Sequence, residues 1–210
     1  MKFQSMVLRS VLVLVLGGLQ VASAAEPPAA GSAEKGQAKA APCVACHGVN
    51  GNSVNPVWPN LAGQHESYIK RQLAAFKNDV RVDPLMTAMA KPLSDEDMAD
   101  LGAFFSTQKP TATLEAEPSK VALGQRLYRG GDLKAGIAAC TACHGPDGGG
   151  NPAASYAQIR GQHAPYLVAQ LKAYRSGTRQ TDPNQMMRNV AAAMSDEQID
   201  AVAAYIQGLR

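Results

Sequence analysis

All four cysteines and two of the four histidines fall into one pattern used twice, Cys43-Val44-Ala45-Cys46-His47-Gly48 and Cys140-Thr141-Ala142-Cys143-His144-Gly145, 97 residues apart. Two thiols three positions apart on a helical turn can each form a thioether to a vinyl edge of a porphyrin, while the imidazole that follows reaches the iron; Cys-x-x-Cys-His is the attachment sequence of c-type haem. Three other chemistries use such pairs. Zinc takes Cys-x-x-Cys, but a His directly after the second Cys is poorly placed to join the same tetrahedron, and the two pairs lie in separate segments. A thioredoxin-like redox pair needs a strand-to-helix setting, which the surroundings lack. Structural disulfides suit an exported chain yet leave both histidines unexplained. The pattern assigns Cys43, Cys46, Cys140 and Cys143 as covalent attachment points for two haems c, with His47 and His144 as axial iron ligands.

The opposite axial position decides between an electron carrier and a haem with an open site. A Met thioether facing His fills the coordination sphere and raises the reduction potential. The candidates are Met86, Met89 and Met98 in the first half and Met186, Met187 and Met194 in the second. At an offset of 101 residues Met86 falls on Met187, whereas Met89 falls on Val190 and Met194 on Leu93. Met86 and Met187 are therefore favoured and the others read as core side chains, with Met186 open as an alternative because it abuts Met187. His65 and His163 are the rivals, since they occupy matching positions 18 or 19 residues beyond their haem histidines. Otherwise they are surface or capping residues at a helix start.

The elements that must position these residues are themselves duplicated. Leu61-Ala62-Gly63-Gln64-His65 matches Ile159-Arg160-Gly161-Gln162-His163, and Tyr68, Gln72, Leu73 and Phe76 match Tyr166, Gln170, Leu171 and Tyr174, all at offset 98. Ser94-Asp95-Glu96 matches Ser195-Asp196-Glu197 at offset 101, and Gly36-Gln37 matches Gly124-Gln125 at offset 88, so the second copy carries about nine extra residues around Gly130-Gly131-Asp132. A solenoid needs more and shorter copies, so this is a tandem duplication of a small domain. Three helices are expected in each copy. One ends just before the first cysteine, and a second starts near His65 or His163 with Tyr68, Gln72 and Phe76 (Tyr166, Gln170 and Tyr174) on one face. A third opens at Ser195-x-x-Gln198, a capping box, or at its looser acidic version Ser94-x-x-Asp97. Gly, Pro and Asn make 48–63 and 145–161 loops, and no run alternates long enough for a sheet. Copies this small bury too little apolar surface alone, so a covalent porphyrin completes each core.

Residues 1–24 read as a cleaved signal peptide: Lys2 and Arg9, an apolar run from Val11 to Leu19, then Ala22-Ser23-Ala24. Gly17, Gly18 and Gln20 break a stretch already short of the ~20 apolar residues of a membrane span. The domains are then expected at 25–109 and 120–210, joined by a 110–119 linker with Pro110 and Pro118. The chain of 210 residues has only 5% aromatic residues and a formal charge of +3, which argues against an all-β sandwich and a nucleic-acid binder. The charge is unevenly shared: residues 25–119 hold eight basic and eleven acidic groups, a balance of −3, and residues 120–210 hold ten and six, a balance of +4.

With these features the chain resembles the dihaem cytochrome c4 family over essentially its whole mature length. The resemblance rests on both Cys-x-x-Cys-His motifs, the Gly-Gln segments at Gly63-Gln64 and Gly161-Gln162-His163, Met86-Thr87 before Pro92-Leu93-Ser94, Met187-Arg188 before Ser195, and the ending Tyr205-Ile206-Gln207-Gly208-Leu209. It implies an all-α fold of two cytochrome c-type domains related by approximate two-fold symmetry, each wrapped around a covalent haem with propionates near the domain interface. It also implies His/Met ligation through Met86 and Met187 and periplasmic delivery of single electrons toward a terminal haem-copper oxidase. The expected partners are redox proteins: a quinol-oxidising complex or small cytochrome as donor and a terminal oxidase as acceptor. Peripheral membrane association stays open. A dihaem enzyme of peroxidase type, with one iron open to substrate, is the competing class, but both halves supply a methionine at equivalent positions.

Overall fold

The computed structural model describes residues 30–111 and 117–210; the expected signal peptide and the centre of the expected linker lie outside them. Within the described residues the fold is helical, with two isolated β-bridges, Asp132 with Ile137 and Asn151 with Tyr156.

Each half has five helices rather than three. The first half runs α1 (Ala33–Lys39), α2 (Ala41–His47), α3 (Glu66–Lys77), α4 (Pro84–Ala90) and α5 (Asp95–Thr107); the second runs α6 (Pro118–Gly130), α7 (Thr141–His144), α8 (Ala164–Ser176), α9 (Met186–Ala192) and α10 (Asp196–Gln207). The helices beyond the expected three are the short ones: α2 and α7 end in the motif histidines, and α4 and α9 carry the candidate methionines. Periodicity says little over so few residues, whereas local chemistry does. Pro42 and Pro84 sit in first turns, where a missing N–H costs nothing. Asp83 caps α4 by accepting the Met86 N–H at 2.9 Å, and a 3-10 turn at Pro183–Gln185 leads into α9. The helix expected to end just before the first cysteine does so in the first half, where α1 gives way to α2. In the second half α6 stops at Gly130, and the inserted residues form a loop pinned by the Asp132–Ile137 bridge.

Both long C-terminal helices start with complete capping boxes. Ser195 and Gln198 exchange hydrogen bonds at 2.9 and 3.1 Å. Asp97 closes the same box with Ser94 at 2.8 and 3.1 Å, so the acidic version is no looser than the amide one.

The scaffold of each half is a crossing of its first and last helices, α1 on α5 and α6 on α10. A glycine makes each crossing possible: a Cβ on Gly36 would lie 2.0 Å from the Asp100 carbonyl oxygen, and one on Gly124 would lie 2.1 Å from that of Ala201. Around the crossings lie Ile69, Leu101, Phe104 and Phe105 in the first half and Leu127, Tyr128, Leu167, Ile199, Val202 and Ile206 in the second. Met98 and Met194 are buried, as their core reading requires.

The halves meet through loops and long side chains rather than helix on helix. Gln64 donates to the Gln158 carbonyl at 2.8 Å and accepts the Gln158 N–H at 3.0 Å. Its counterpart Gln162 does the same to Asn60, at 2.9 Å for both bonds. Since Asn60 and Gln158 are themselves equivalent, the contact is reciprocal, as in a two-fold dimer.

Candidate functional site

In both halves the motif is held the same way. Cys43 and Cys46 lie on α2 and His47 is its last residue; Cys140 precedes α7, which carries Cys143 and ends at His144. Each helix is closed by a glycine at φ +77°, Gly48 or Gly145, a conformation that side chains rarely adopt. The chain then doubles back as a loop whose backbone fixes the imidazole: Nδ1 of His47 lies 2.8 Å from the Pro59 carbonyl, and Nδ1 of His144 lies 2.8 Å from that of Ala157. A carbonyl at Nδ1 sets the tautomer with the proton there, which leaves the Nε2 lone pair for a metal. Burial pulls the pKa of both imidazoles below the usual histidine value, only partly opposed by these carbonyl bonds, which favours the neutral ring that a ligand needs.

Cys43 and Cys140 are not set up for redox exchange. Burial raises Cys43 above its ordinary pKa and pushes Cys140 up to about 11, the reverse of the electropositive settings that activate a cysteine. Cys43 packs on the core of the first half and Cys140 on that of the second. Among the described residues no cluster of three or more His, Cys, Asp or Glu side chains could hold a metal ion.

Met86 and Met187 are half-buried on α4 and α9. Met186 is engaged elsewhere: its sulfur accepts from the Tyr156 hydroxyl at 3.8 Å. The helices bearing the two proposed ligands of each half do not touch. α2 packs on α1 and α4 on α3, while α7 packs on α6 and α9 on α8 and the adjoining 3-10 turn. A fixed neutral imidazole, two thiols on one helical turn and a methionine helix standing apart fit a flat, covalently tethered porphyrin.

His65 and His163 occupy the N-cap positions of α3 and α8, but neither side chain caps its helix. His163 is buried, and its Nε2 lies 2.9 Å from the Ser53 carbonyl of the other half. Burial lowers the His65 pKa, opposed by backbone hydrogen bonding to Gly149, again across the boundary. His163 joins the halves directly. The arginines were not anticipated: Arg81 and Arg179 bridge the boundary, although their shared offset of 98, the same as that of Gln72 and Gln170, is a visible signal.

Comparison with known proteins places these features. The sequence model of cytochrome c matches residues 33–109 and 121–210. The cytochrome c4 of Thiocapsa roseopersicina is 46% identical over 187 residues, which covers 88% of this chain and 96% of that one. A thiosulfate dehydrogenase electron acceptor of Thiomonas intermedia (strain K12) is 38% identical, covering 94% of this chain and 89% of that one. The crystal structure of reduced recombinant cytochrome c4 from Pseudomonas stutzeri superposes with a TM-score of 0.83 at 45% identity, covering 86% of this chain and all of the other.

Proposed function

Because the chain belongs to the cytochrome c family, as a dihaem electron carrier of the cytochrome c4 group with two covalently bound haems c, we propose that Cys43 and Cys46 tether one haem and Cys140 and Cys143 the other. His47 and Met86 are then the axial pair in the first half, and His144 and Met187 in the second. The observation that carries this reading is the matched anchoring of the two imidazoles at 2.8 Å to loop carbonyls, which presents Nε2 identically in both halves. Engagement of the Met186 sulfur by Tyr156 supports Met187 over its neighbour.

Each haem, when bound, supplies an iron that alternates between the ferric and ferrous states. The protein's contribution is to hold that centre nearly still. The thiols would tether the porphyrin edges, the carbonyl bonds at Nδ1 hold both imidazoles in place, and Cys43 and Cys140 pack on the apolar cores of their halves. With Met86 and Met187 opposing His47 and His144, the residues of each half would leave no iron open to substrate, and the chain would transfer electrons without making or breaking substrate bonds. The halves span 25–109 and 120–210, separated by the 110–119 linker, whose last two residues, Pro118 and Ser119, already open α6. The signal-like residues 1–24 support export to the periplasm, and among the described residues no helix is long and apolar enough to cross a membrane. The partners are redox proteins. A terminal haem-copper oxidase is the proposed acceptor, and the likeness to a thiosulfate dehydrogenase electron acceptor adds sulfur-compound dehydrogenases to the candidate donors.

The decisive experiment is a visible spectrum with haem quantification and redox titration of the exported protein and its M86A and M187A variants. Each substitution is expected to abolish the sulfur-to-iron charge-transfer band of one haem and lower that haem's potential, within the roughly 0.8 V that axial ligands command. A band unchanged in M86A or M187A overturns the assignment for that half, and rapid stoichiometric carbon monoxide binding to either reduced native haem overturns the carrier reading. Finding the processed chain in the cytoplasm instead of the periplasmic fraction overturns the proposed location.

A further inference from the structure

The carbonyls that hold the two motif imidazoles are themselves held, and by the opposite half. The Pro59 carbonyl at Nδ1 of His47 and the Asn60 N–H belong to one peptide group, and that N–H donates to Oε1 of Gln162 at 2.9 Å. In the second half the Ala157 carbonyl at Nδ1 of His144 shares its peptide group with the Gln158 N–H, which donates to Oε1 of Gln64 at 3.0 Å. Behind each imidazole there is thus a single peptide group and then a glutamine of the other half. A peptide group is planar and conjugated, so the bonds on its two edges act on one rigid, polarisable unit.

The glutamines are fixed for this role. Both are buried, and Oε1 of each also accepts the N–H of the next residue in its own chain, His65 at 3.1 Å and His163 at 3.0 Å, which folds the side chain back and sets the direction of the amide. The preceding glycines anchor each clamp to the last helix of its own half: the Gly63 N–H donates to the Phe105 carbonyl at 2.9 Å and the Gly161 N–H to that of Ile206 at 3.1 Å. The first clamp has a further arm. Nε2 of His163 lies 2.9 Å from the Ser53 carbonyl, and the Ser53 hydroxyl donates to the Cys46 carbonyl on the attachment helix at 3.0 Å. Any hydrogen bond across the boundary would serve to dock the halves, but the bonds at Oε1 are the ones that lead through a peptide group to an imidazole.

We propose that Gln162 and Gln64 are positioning residues that act across the boundary: Gln162 of the second half sets the orientation and basicity of His47, and Gln64 of the first half sets those of His144, so that each half tunes the redox centre of the other. The inference rests on the haem ligation proposed above. A hydrogen bond accepted from the peptide N–H polarises the carbonyl at its other edge. A more polar carbonyl pulls harder on the Nδ1 proton and makes the imidazole a stronger base at Nε2. A more basic ligand favours ferric iron, so loss of a glutamine raises the potential in the half that does not contain it.

The test is redox titration of the dihaem protein and its Q162M and Q64M variants, with NMR of the histidine Nδ1–H groups in the ferrous state and each haem assigned through M86A and M187A. Methionine keeps the length of glutamine but lacks both the amide oxygen and the amide donor. Q162M is expected to shift the first haem toward ferrous about threefold, roughly 28 mV at about 59 mV per tenfold for a one-electron couple. It should also move the His47 Nδ1–H signal upfield while leaving the second haem and His144 as they were. Q64M should do the converse. If a methionine variant folds poorly, Q162N and Q64N, one methylene shorter, stretch the same bond and should give the same crossed pattern. A shift in the haem of the substituted half, equal shifts in both haems, or unchanged potentials in a folded variant overturns the proposal. So does a shifted potential with the Nδ1–H signal unmoved, since that effect would come only from losing a nearby amide dipole. A wild-type protein lacking the sulfur-to-iron charge-transfer bands would instead overturn the haem ligation itself, and this inference with it.

Discussion

The two halves share a backbone crossing but fill it with opposite chemistry. By the repeat offsets, Lys39 of α1 corresponds to Leu127 of α6, and Asp100 of α5 to Ala201 of α10. In the first half Lys39 reaches Asp97 at 2.6 Å and Asp100 at 2.8 Å, and Asp100 also accepts the Ser32 N–H at 2.8 Å. In the second half Leu127 and Ala201 are simply buried, and Tyr128 at the position of Ala40 adds a wholly buried ring 5.4 Å from Tyr205. The glycine contact that sets the helix separation is the same in both. Backbone fit therefore defines the fold, and the side chains around it are interchangeable between an ion-paired and an apolar solution. An ion pair is worth little more than a well-packed apolar substitute, so neither solution is preferred on energy alone.

The largest expected break in this comparison comes from Tyr128→Ala. It removes the ring that distinguishes the second core and leaves the Gly145 carbonyl, now bonded by the Tyr128 hydroxyl at 2.6 Å, without that donor. A loss of about 3–5 kcal/mol is expected by analogy with large aromatic truncations, read as lower thermal stability of the second half. Ala40 occupies the same place in the first half, so a loss under about 1 kcal/mol would mean that the second core can repack into the first one's form.

Gly36→Ala and Gly124→Ala test what the halves share. Each new methyl group would meet a backbone carbonyl that cannot rotate away, so the helices must separate, at a cost of about 1–3 kcal/mol in either half. Equal losses in chemical denaturation support a common crossing; a loss in one half alone would show that the crossings differ.

Smaller still, Ser94→Ala and Ser195→Ala each remove one capping box and should cost about 1 kcal/mol. The two losses should match, because Asp97 and Gln198 make the same pair of bonds. A markedly larger loss for Ser94→Ala would trace to Asp97, which also binds Lys39.

Much of this architecture was legible in the residues. The motif spacing marks both attachment sites, and the offset of 101 favours Met86 and Met187 from the sequence alone. The long helices α3, α5, α8 and α10 stood out because they are long enough to show a period. What escaped was of two kinds. Helices of four to seven residues, such as α7 and α4, are set by caps, prolines and tertiary contacts rather than periodicity. Contacts between the halves leave no periodic trace: Gln72 lies on a face read as one stripe with Tyr68 and Phe76, yet Tyr68 and Gln72 bind the other half's Arg179 while the Phe76 ring lies under Arg81. His163 escaped for the same reason, since a buried bond to Ser53 of the other half is invisible within one repeat.

The subtlest test is acid. Hydrogen bonding to Lys39, and then to the Ser32 N–H, holds the Asp100 carboxyl below its usual pKa, while Lys39 and Ser94 do the same for Asp97. A carboxylate whose pKa is depressed by folding stabilises the fold above its unfolded value near 3.9, and that contribution fades as pH falls through the folded value. In the second half Asp196 is held down by Arg175 and Lys172, but that pairing ties α10 to α8 at the surface and leaves the α6–α10 crossing apolar. As pH falls below about 4, amide hydrogen exchange should therefore show α1 losing protection before α6. The effect is modest, because Lys39 remains a third exposed and the pairs are screened by solvent. The double substitution Lys39→Leu with Asp100→Ala writes the second half's solution into the first and should remove the difference without loss of stability at neutral pH. If α6 opens first, or if the double variant leaves the acid response unchanged, the ion-paired crossing is not what separates the halves.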